Sequence, residues 1–135
     1  MIERTLSIIK PDAVNRNIVG KILNIFEING LTIIDIKKIL LTKEQAANFY
    51  FVHKEKFFFK DLCEYMISGP IIVLILEGNN AINKNREIMG STNPKEAKKG
   101  TIRNLFALSL EKNSVHGSDN FENAKKEISF FFSKN

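Results

Sequence analysis

Ile71-Ile72-Val73-Leu74-Ile75-Leu76 decides the fold. An unbroken apolar run rich in β-branched residues, bounded by Ser68-Gly69-Pro70 and by Glu77-Gly78, reads as a buried strand over residues 71–77. The run is far shorter than the ~20 apolar residues that a membrane-spanning helix needs. A strand without polar alternation has no solvent face, so it belongs in the middle of a sheet.

Toward the N-terminus, residues 57–67 read as a short helix that Ser68-Gly69-Pro70 ends. Its first turn, Phe57-Phe58-Phe59, carries more rings than one side of a short helix can bury, which leaves at least one ring to line a cleft. Thr42 and Gln45 have capping-box spacing and open a helix that runs to about residue 51. Residues 31–41 mix Leu and Ile with Asp35, Lys37 and Lys38, the pattern of a long strand with one face partly exposed. Ile18, Ile22, Ile25 and Phe26 follow helical spacing over 18–28, and Asn29-Gly30 supplies the stop. Residues 5–9 form the first strand, halted by Pro11, so Lys10 sits at a strand end.

Toward the C-terminus, residues 80–89 read as a helix ended by Gly90, with Arg86 turned away from Ile82 and Met89. Residues 90–100 form a polar, Lys-rich loop containing Thr92 and Pro94, long enough to point to function. A short helix over 101–108 follows, then a last strand near Ser114-Val115 and a final helix started by an Asp119/Glu122 capping box. Gly117 is expected to permit a backbone turn that presents His116 at the mouth of that helix. Strands exchanging with helices, two of them long enough to pair antiparallel, predict an α+β sandwich of the split βαβ kind with helices over one sheet face. At 135 residues and 44% hydrophobic content, residues 1–135 suit one domain that buries roughly two-thirds of its unfolded surface.

A formal net charge of +5 and a sequence pI near 9.4 ask for an acidic partner: nucleic acid, an anionic membrane or a phosphorylated small molecule. Composition does not choose among them. Cys63 is the only cysteine, which excludes an internal disulfide and a thiolate metal cluster, and it reads as a small apolar residue on a helix. His53 and His116 are far apart in sequence and form no HxxxH or HExxH pair, which disfavours a metal held by the protein alone. A Mg²⁺ ion carried on nucleotide phosphates needs few protein ligands and stays compatible. The first residues show no basic segment followed by an apolar one, so no export signal and a cytoplasmic setting are expected.

Lys10, Arg86, Arg103 and Thr92 are all groups that phosphate attracts: Arg through its planar fork, Lys as a compact charge. Any one of them alone also describes a solvated surface. There is no GxxxxGK[ST] loop, because Gly20-Lys21 is followed by Ile22, and no kinase-type glycine loop. Phosphoryl transfer by this chain therefore needs a different arrangement, and His116 is the residue suited to accepting the group covalently, since an ordinary imidazole titrates near ~6.5. Its second ring nitrogen needs a partner, for which Glu127 is a candidate by position.

Asn113-x-x-His116-Gly117-Ser118-Asp119 resembles the active-site signature of the nucleoside diphosphate kinases, and Thr5-Leu6-Ser7-Ile8-Ile9-Lys10-Pro11-Asp12 resembles their first strand. The similarity continues through Ser68-Gly69-Pro70, Met89-Gly90-Ser91-Thr92-Asn93-Pro94 and Gly100-Thr101-Ile102-Arg103, in the same order and over essentially the whole chain. The resemblance implies a ferredoxin-like βαββαβ fold, with a four-stranded antiparallel sheet covered by helices. It also implies ping-pong transfer of the γ-phosphoryl group, mainly from ATP, to a nucleoside or deoxynucleoside diphosphate through a phosphohistidine. Carried over by position, His116 is the nucleophile, Glu127 and Ser118 orient it and Tyr50 supports it. Lys10, Tyr50, Arg86, Thr92, Arg103 and Asn113 then hold phosphates and ribose, while Phe58 stacks on the base with Leu62 and Leu110 near it. Stacking tolerates any base, because every base has a π-face.

The resemblance further implies Mg²⁺ bound through the nucleotide and a homo-oligomer, tetramer or hexamer, built from dimers. Two departures bear on that assembly and spare the nucleophile. Lys99 stands where many members have Pro before Gly100, in a loop the family uses at subunit contacts, and the sequence stops at Phe130-Phe131-Phe132-Ser133-Lys134-Asn135 without the longer arm of some members. A ferredoxin-like sheet on a basic chain would also suit RNA, but the exposed aromatic pattern of an RNA-binding sheet is missing. Neither a nucleic acid nor a membrane is an expected partner.

Overall fold

The computed structural model describes residues 1–133. Along the chain run β1 (Ile2–Ile9), α1 (Pro11–Asn15), α2 (Val19–Ile28), β2 (Thr32–Ile39), α3 (Lys43–Phe49), α4 (Phe59–Met66), β3 (Ile71–Asn79), α5 (Ala81–Met89), α6 (Ile102–Phe106), β4 (Val115–Gly117) and α7 (Phe121–Phe132). The strands form one sheet in the order β2-β3-β1-β4, all neighbours antiparallel. The apolar run of β3 is central, as its lack of alternation requires, and it pairs with β1 from Ile2↔Asn79 to Ile9↔Ile72. β2 is an edge strand with mostly exposed side chains and an irregularity between Ile33 and Asp35, which fits its mixture of Ile with Lys and Asp.

Helices cover both faces of this sheet, not one. Ile9, Ile72, Leu74 and Leu76 pack with Ile22, Phe26, Met89 and Ile102 on one side. Leu6, Ile8, Ile71 and Val73 pack with Ala46, Cys63, Met66 and Phe131 on the other. Successive strand residues point to opposite faces, so a continuous apolar β3 already demands a cover on each.

Short-range chemistry sets the ends. The Thr42/Gln45 capping box closes α3 with bonds of 2.9 and 3.0 Å. Pro11 stops β1 but also starts α1, since a helix's first residue needs no N–H and its fixed φ suits the turn; that helix is absent from the periodicity. The expected capping box at Asp119 is displaced by one residue. Asn120 takes the cap, accepting the Asn123 N–H at 2.8 Å, and leaves the Asp119 carboxylate free for another partner. At α5, Asn80 has φ 50° and makes no side-chain cap, and Glu3 of β1 serves instead by accepting the Ile82 N–H at 3.0 Å. Among the described residues no helix is long and apolar enough to cross a membrane.

Candidate active site

His116 lies inside β4, opposite Ile8 of β1, rather than at the mouth of a helix. Its neighbour Val115 is fully buried against the α2 and α5 side. Strand alternation therefore turns His116 to the other face, toward α3 and α7. Gly117 does not make the expected turn, for it is absent from the glycines with positive φ. Its requirement is close approach: a Cβ there would stand 2.5 Å from Asn85 Nδ2 and 2.8 Å from Met89 Sδ of α5. The left-handed residue is Ser114, with φ 72°.

The imidazole is held on its Nε2 side. Nε2 lies 2.9 Å from Glu127 Oε1, and the Ser118 hydroxyl donates to the same oxygen at 2.7 Å. An ionised carboxylate only accepts, so Nε2 carries the proton and Nδ1 the lone pair. Nδ1 has no protein partner among the described residues. Both side chains are roughly a fifth exposed, His116 at 22% and Glu127 at 20%. Phe49, at the end of α3, meets the imidazole edge to face at 5.6 Å, and is itself packed against Tyr50 at 4.9 Å and Phe131 at 5.1 Å.

This ring opens onto a cleft of about 660 Å³ whose lining includes Lys10, Tyr50, Arg86, Thr92, Arg103 and Asn113. Lys10, at the end of β1, is buried and donates to Asn113 Oδ1 at 2.9 Å. Burial, and then the nearby charge of Arg103, bring its pKa down to about 8, against a smaller opposing pull from Asp12. Arg103 sits on α6, where its Nη1 donates to Gly90 O at 3.0 Å and its Nη2 to Val115 O at 2.9 Å. Burial, and then Arg86, lower it to about 10, so it keeps its charge at neutral pH. Gly90 must be glycine twice over: its φ is 87°, and a Cβ would stand 2.4 Å from Thr101 Oγ1. Arg103 Nε and the Tyr50 hydroxyl are buried without a hydrogen-bond partner among the described residues, two polar groups in the wall of a basic cleft. Burial, and then Glu127, raise the Tyr50 pKa, so its hydroxyl stays protonated and available to donate.

Of the expected site residues, Phe58, Leu62 and Leu110 do not line this cleft, and Ser118 is fully buried behind it, reaching the site through Glu127. Phe58 borders it through His53, which does line it and lies 5.5 Å from the Phe58 ring. The sequence did not single out Phe49, His53, Asp119 or Lys126 as cleft residues. Asp119, freed from capping, pairs with Arg86 at 3.3 Å on the surface. Asp119 stands in the quoted motif but reads there as a helix cap, while Phe49, His53 and Lys126 carry no local signal, because they reach the cleft only through the packing of residues 43–53 and of α7 around β4.

A buried lysine near pH 8 has a measurable consequence. Phosphate binding favours the ammonium form, whose fraction falls as pH rises through about 8. The dissociation constant for a polyphosphate anion seated at Lys10 is therefore expected to rise by up to about tenfold per pH unit above that value. Titration from neutral to alkaline pH should show this limb in the parent and its absence in Lys10→Met, which binds weakly throughout; a parallel limb in the variant would exclude Lys10 as its source.

Residues 3–135 match the family model described as nucleoside diphosphate kinase. A nucleoside diphosphate kinase of Campylobacter jejuni is 65% identical over 133 residues, covering 98% of this chain and 97% of the relative. One from a Nitratiruptor species is 64% identical over 132 residues, covering 98% and 96%. Among solved structures, the Aquifex aeolicus nucleoside diphosphate kinase superposes with a TM-score of 0.96 at 45% identity, covering 98% of this chain and 96% of that one. With the sheet order, the histidine–carboxylate pair and the basic cleft, this full-length agreement means that the chain belongs to the nucleoside diphosphate kinase family.

Proposed function

We propose that the chain moves the γ-phosphoryl group of a nucleoside triphosphate, mainly ATP, to a nucleoside or deoxynucleoside diphosphate, by way of a phosphohistidine on Nδ1 of His116. In the first half, the Nδ1 lone pair attacks the γ-phosphorus and the bond from phosphorus to the β–γ bridging oxygen breaks, releasing the diphosphate. In the second, a terminal β-phosphate oxygen of the acceptor attacks the phosphohistidine, the P–N bond breaks and the lone pair returns to Nδ1. The supporting observation is an imidazole held at Nε2 by Glu127, 2.9 Å away, while its other nitrogen lacks a protein partner beside a basic cleft. Glu127 and Ser118 fix the tautomer and stabilise the positive ring that phosphorylation creates. Lys10, Arg86, Thr92 and Arg103 neutralise phosphate oxygens, Tyr50 supports His116 as a donor, and Asn113 holds Lys10 and the ribose side of the nucleotide. Phe58, with Leu62 and Leu110, would flank the base outside the phosphate cleft.

Among the described residues no group of three or more His, Cys, Asp or Glu could hold a metal. A cleft with several cations, and with the exposed Asp119 carboxylate held at its rim by Arg86, fits Mg²⁺ brought on the nucleotide phosphates, with Asp119 the protein group nearest in chemistry to an outer contact. When bound, the ion neutralises charge on the β- and γ-phosphates. The proposal includes one domain over 1–135, a cytoplasmic setting where ATP is at hand, and a tetramer or hexamer of dimers. Lys99 is the departure that bears on the assembly, and the expectation drawn from the C-terminal stretch 130–135 falls in part on residues 134 and 135, outside the described range.

The test is phosphate exchange between ATP and a deoxynucleoside diphosphate by the purified chain. Exchange with parallel double-reciprocal lines, loss of at least about 10²-fold in rate with excess EDTA and recovery with Mg²⁺ are expected. Intersecting lines, or exchange indifferent to EDTA, would contradict the mechanism or its metal.

A further inference from the structure

Two residues before His116, Ser114 is fully buried with φ 72°, a conformation that a residue with a Cβ resists. It is not left to hold that shape alone. Its hydroxyl donates to Asp12 Oδ2 at 2.9 Å, and its carbonyl accepts the Lys10 N–H at 2.8 Å. The Asp12 carboxylate, which the phosphate cleft does not include, is a junction of separate chain segments. Arg16 Nη2 reaches Oδ2 at 3.1 Å and continues to the Phe106 carbonyl at 2.6 Å, at the start of the loop leading to Asn113. The Tyr65 hydroxyl of α4 donates to Oδ1, and accepts the Asp12 N–H at 3.1 Å. Burial, and then the bond to Asp12, raise the Tyr65 pKa, so the hydroxyl remains a donor.

We propose that Asp12 is a positioning residue: by holding Ser114 in the left-handed conformation, it sets Asn113 against Lys10 and aims His116 from β4 into the cleft. Asn113 and His116 flank the constrained residue, and Lys10 precedes Asp12 by two. The phosphate-holding and phosphate-accepting groups are thus registered against each other through one buried carboxylate. An extended Ser114 would redirect the chain between Asn113 and His116 and lose the contact between Lys10 N–H and its carbonyl. Near-attack geometry is sensitive to such shifts, since a displacement of about 1 Å can cost about 10²-fold. The inference rests on His116 being the phosphoryl acceptor.

Glycine separates the clamp from mere stabilisation. Ser114→Ala loses the hydroxyl and keeps the Cβ that resists positive φ; Ser114→Gly loses the same hydroxyl but adopts positive φ freely. In single-turnover phosphorylation by ATP, per folded site, Ser114→Ala is expected to slow about 10- to 100-fold and Ser114→Gly to stay within about threefold of the parent. Asp12→Asn should slow as Ser114→Ala does, and adding Ser114→Gly to it should restore most of the rate. A purely structural role predicts rates that follow melting temperature, with no glycine rescue. Equal rates for the two Ser114 variants overturn the proposal, and so does parental speed in Ser114→Ala; the Ser114 pair decides even where Asp12→Asn does not fold. Failure of the parent itself to form phosphohistidine would instead overturn the assignment of His116.

Discussion

His116→Ala should lower turnover by about 10⁴-fold or more, the scale seen when the attacking group of a covalent mechanism is removed. The fold should survive. The side chain is roughly a fifth exposed and makes one polar contact, with Glu127. Its loss is worth about 1 kcal/mol, a shift of only a few degrees in melting temperature for a chain of this size. Nucleotide affinity should change little, because the groups proposed to hold the phosphates are Lys10 just after β1, Arg86 on α5, Thr92 in the loop that follows and Arg103 on α6, rather than the ring. The combination to measure is exchange rate, ADP affinity and thermal midpoint on one preparation. Turnover within tenfold of the parent would remove His116 from the chemistry.

Gly117→Ala should damage stability and rate together, although glycine carries no side chain to take part in the chemistry. The added methyl would stand 2.5 Å from Asn85 Nδ2 and 2.8 Å from Met89 Sδ, both on buried side chains that have little room to retreat. β4 is only three residues long and pairs with β1 alone, so it is the element that yields. Overpacking of this kind costs about 1–3 kcal/mol. A β4 pushed off α5 drives His116 toward α7 and out of its register with Glu127, for a further loss of about 10²-fold in rate. Denaturant midpoint and single-turnover rate should fall together; an unchanged midpoint would mean that the glycine serves something other than the β4–α5 contact.

The sequence made the sheet's centre legible because β3 carries its own signal in six adjacent apolar residues from Ile71 to Leu76. It misled about the second face. The residues covering that face, among them Ala46, Met66 and Phe131, are spread over three helices, and none announces which side of the sheet it joins. The site was legible as a motif rather than as a mechanism. His116, Glu127 and Lys10 were picked out, yet spacing alone suggested a histidine at a helix mouth and a glycine needed for a turn. The structure puts the histidine in a strand, assigns the glycine to close packing, and moves the unusual backbone to Ser114. Positive φ at a serine and a carboxylate junction spanning residues 12 and 114 are properties of tertiary contact, invisible to any local pattern.

The most direct test of the account is to trap the phosphorylated protein. After incubation with ATP and Mg²⁺ and removal of nucleotide, phosphorus NMR of the denatured chain under alkaline conditions should show an acid-labile, base-stable phosphohistidine bonded through Nδ1. The group should leave when ADP is added and never form in His116→Ala. Phosphate on Nε2, on a hydroxyl, or on no residue while exchange proceeds at full rate would contradict a mechanism in which Glu127 holds one nitrogen of His116 so that the other can carry the phosphoryl group.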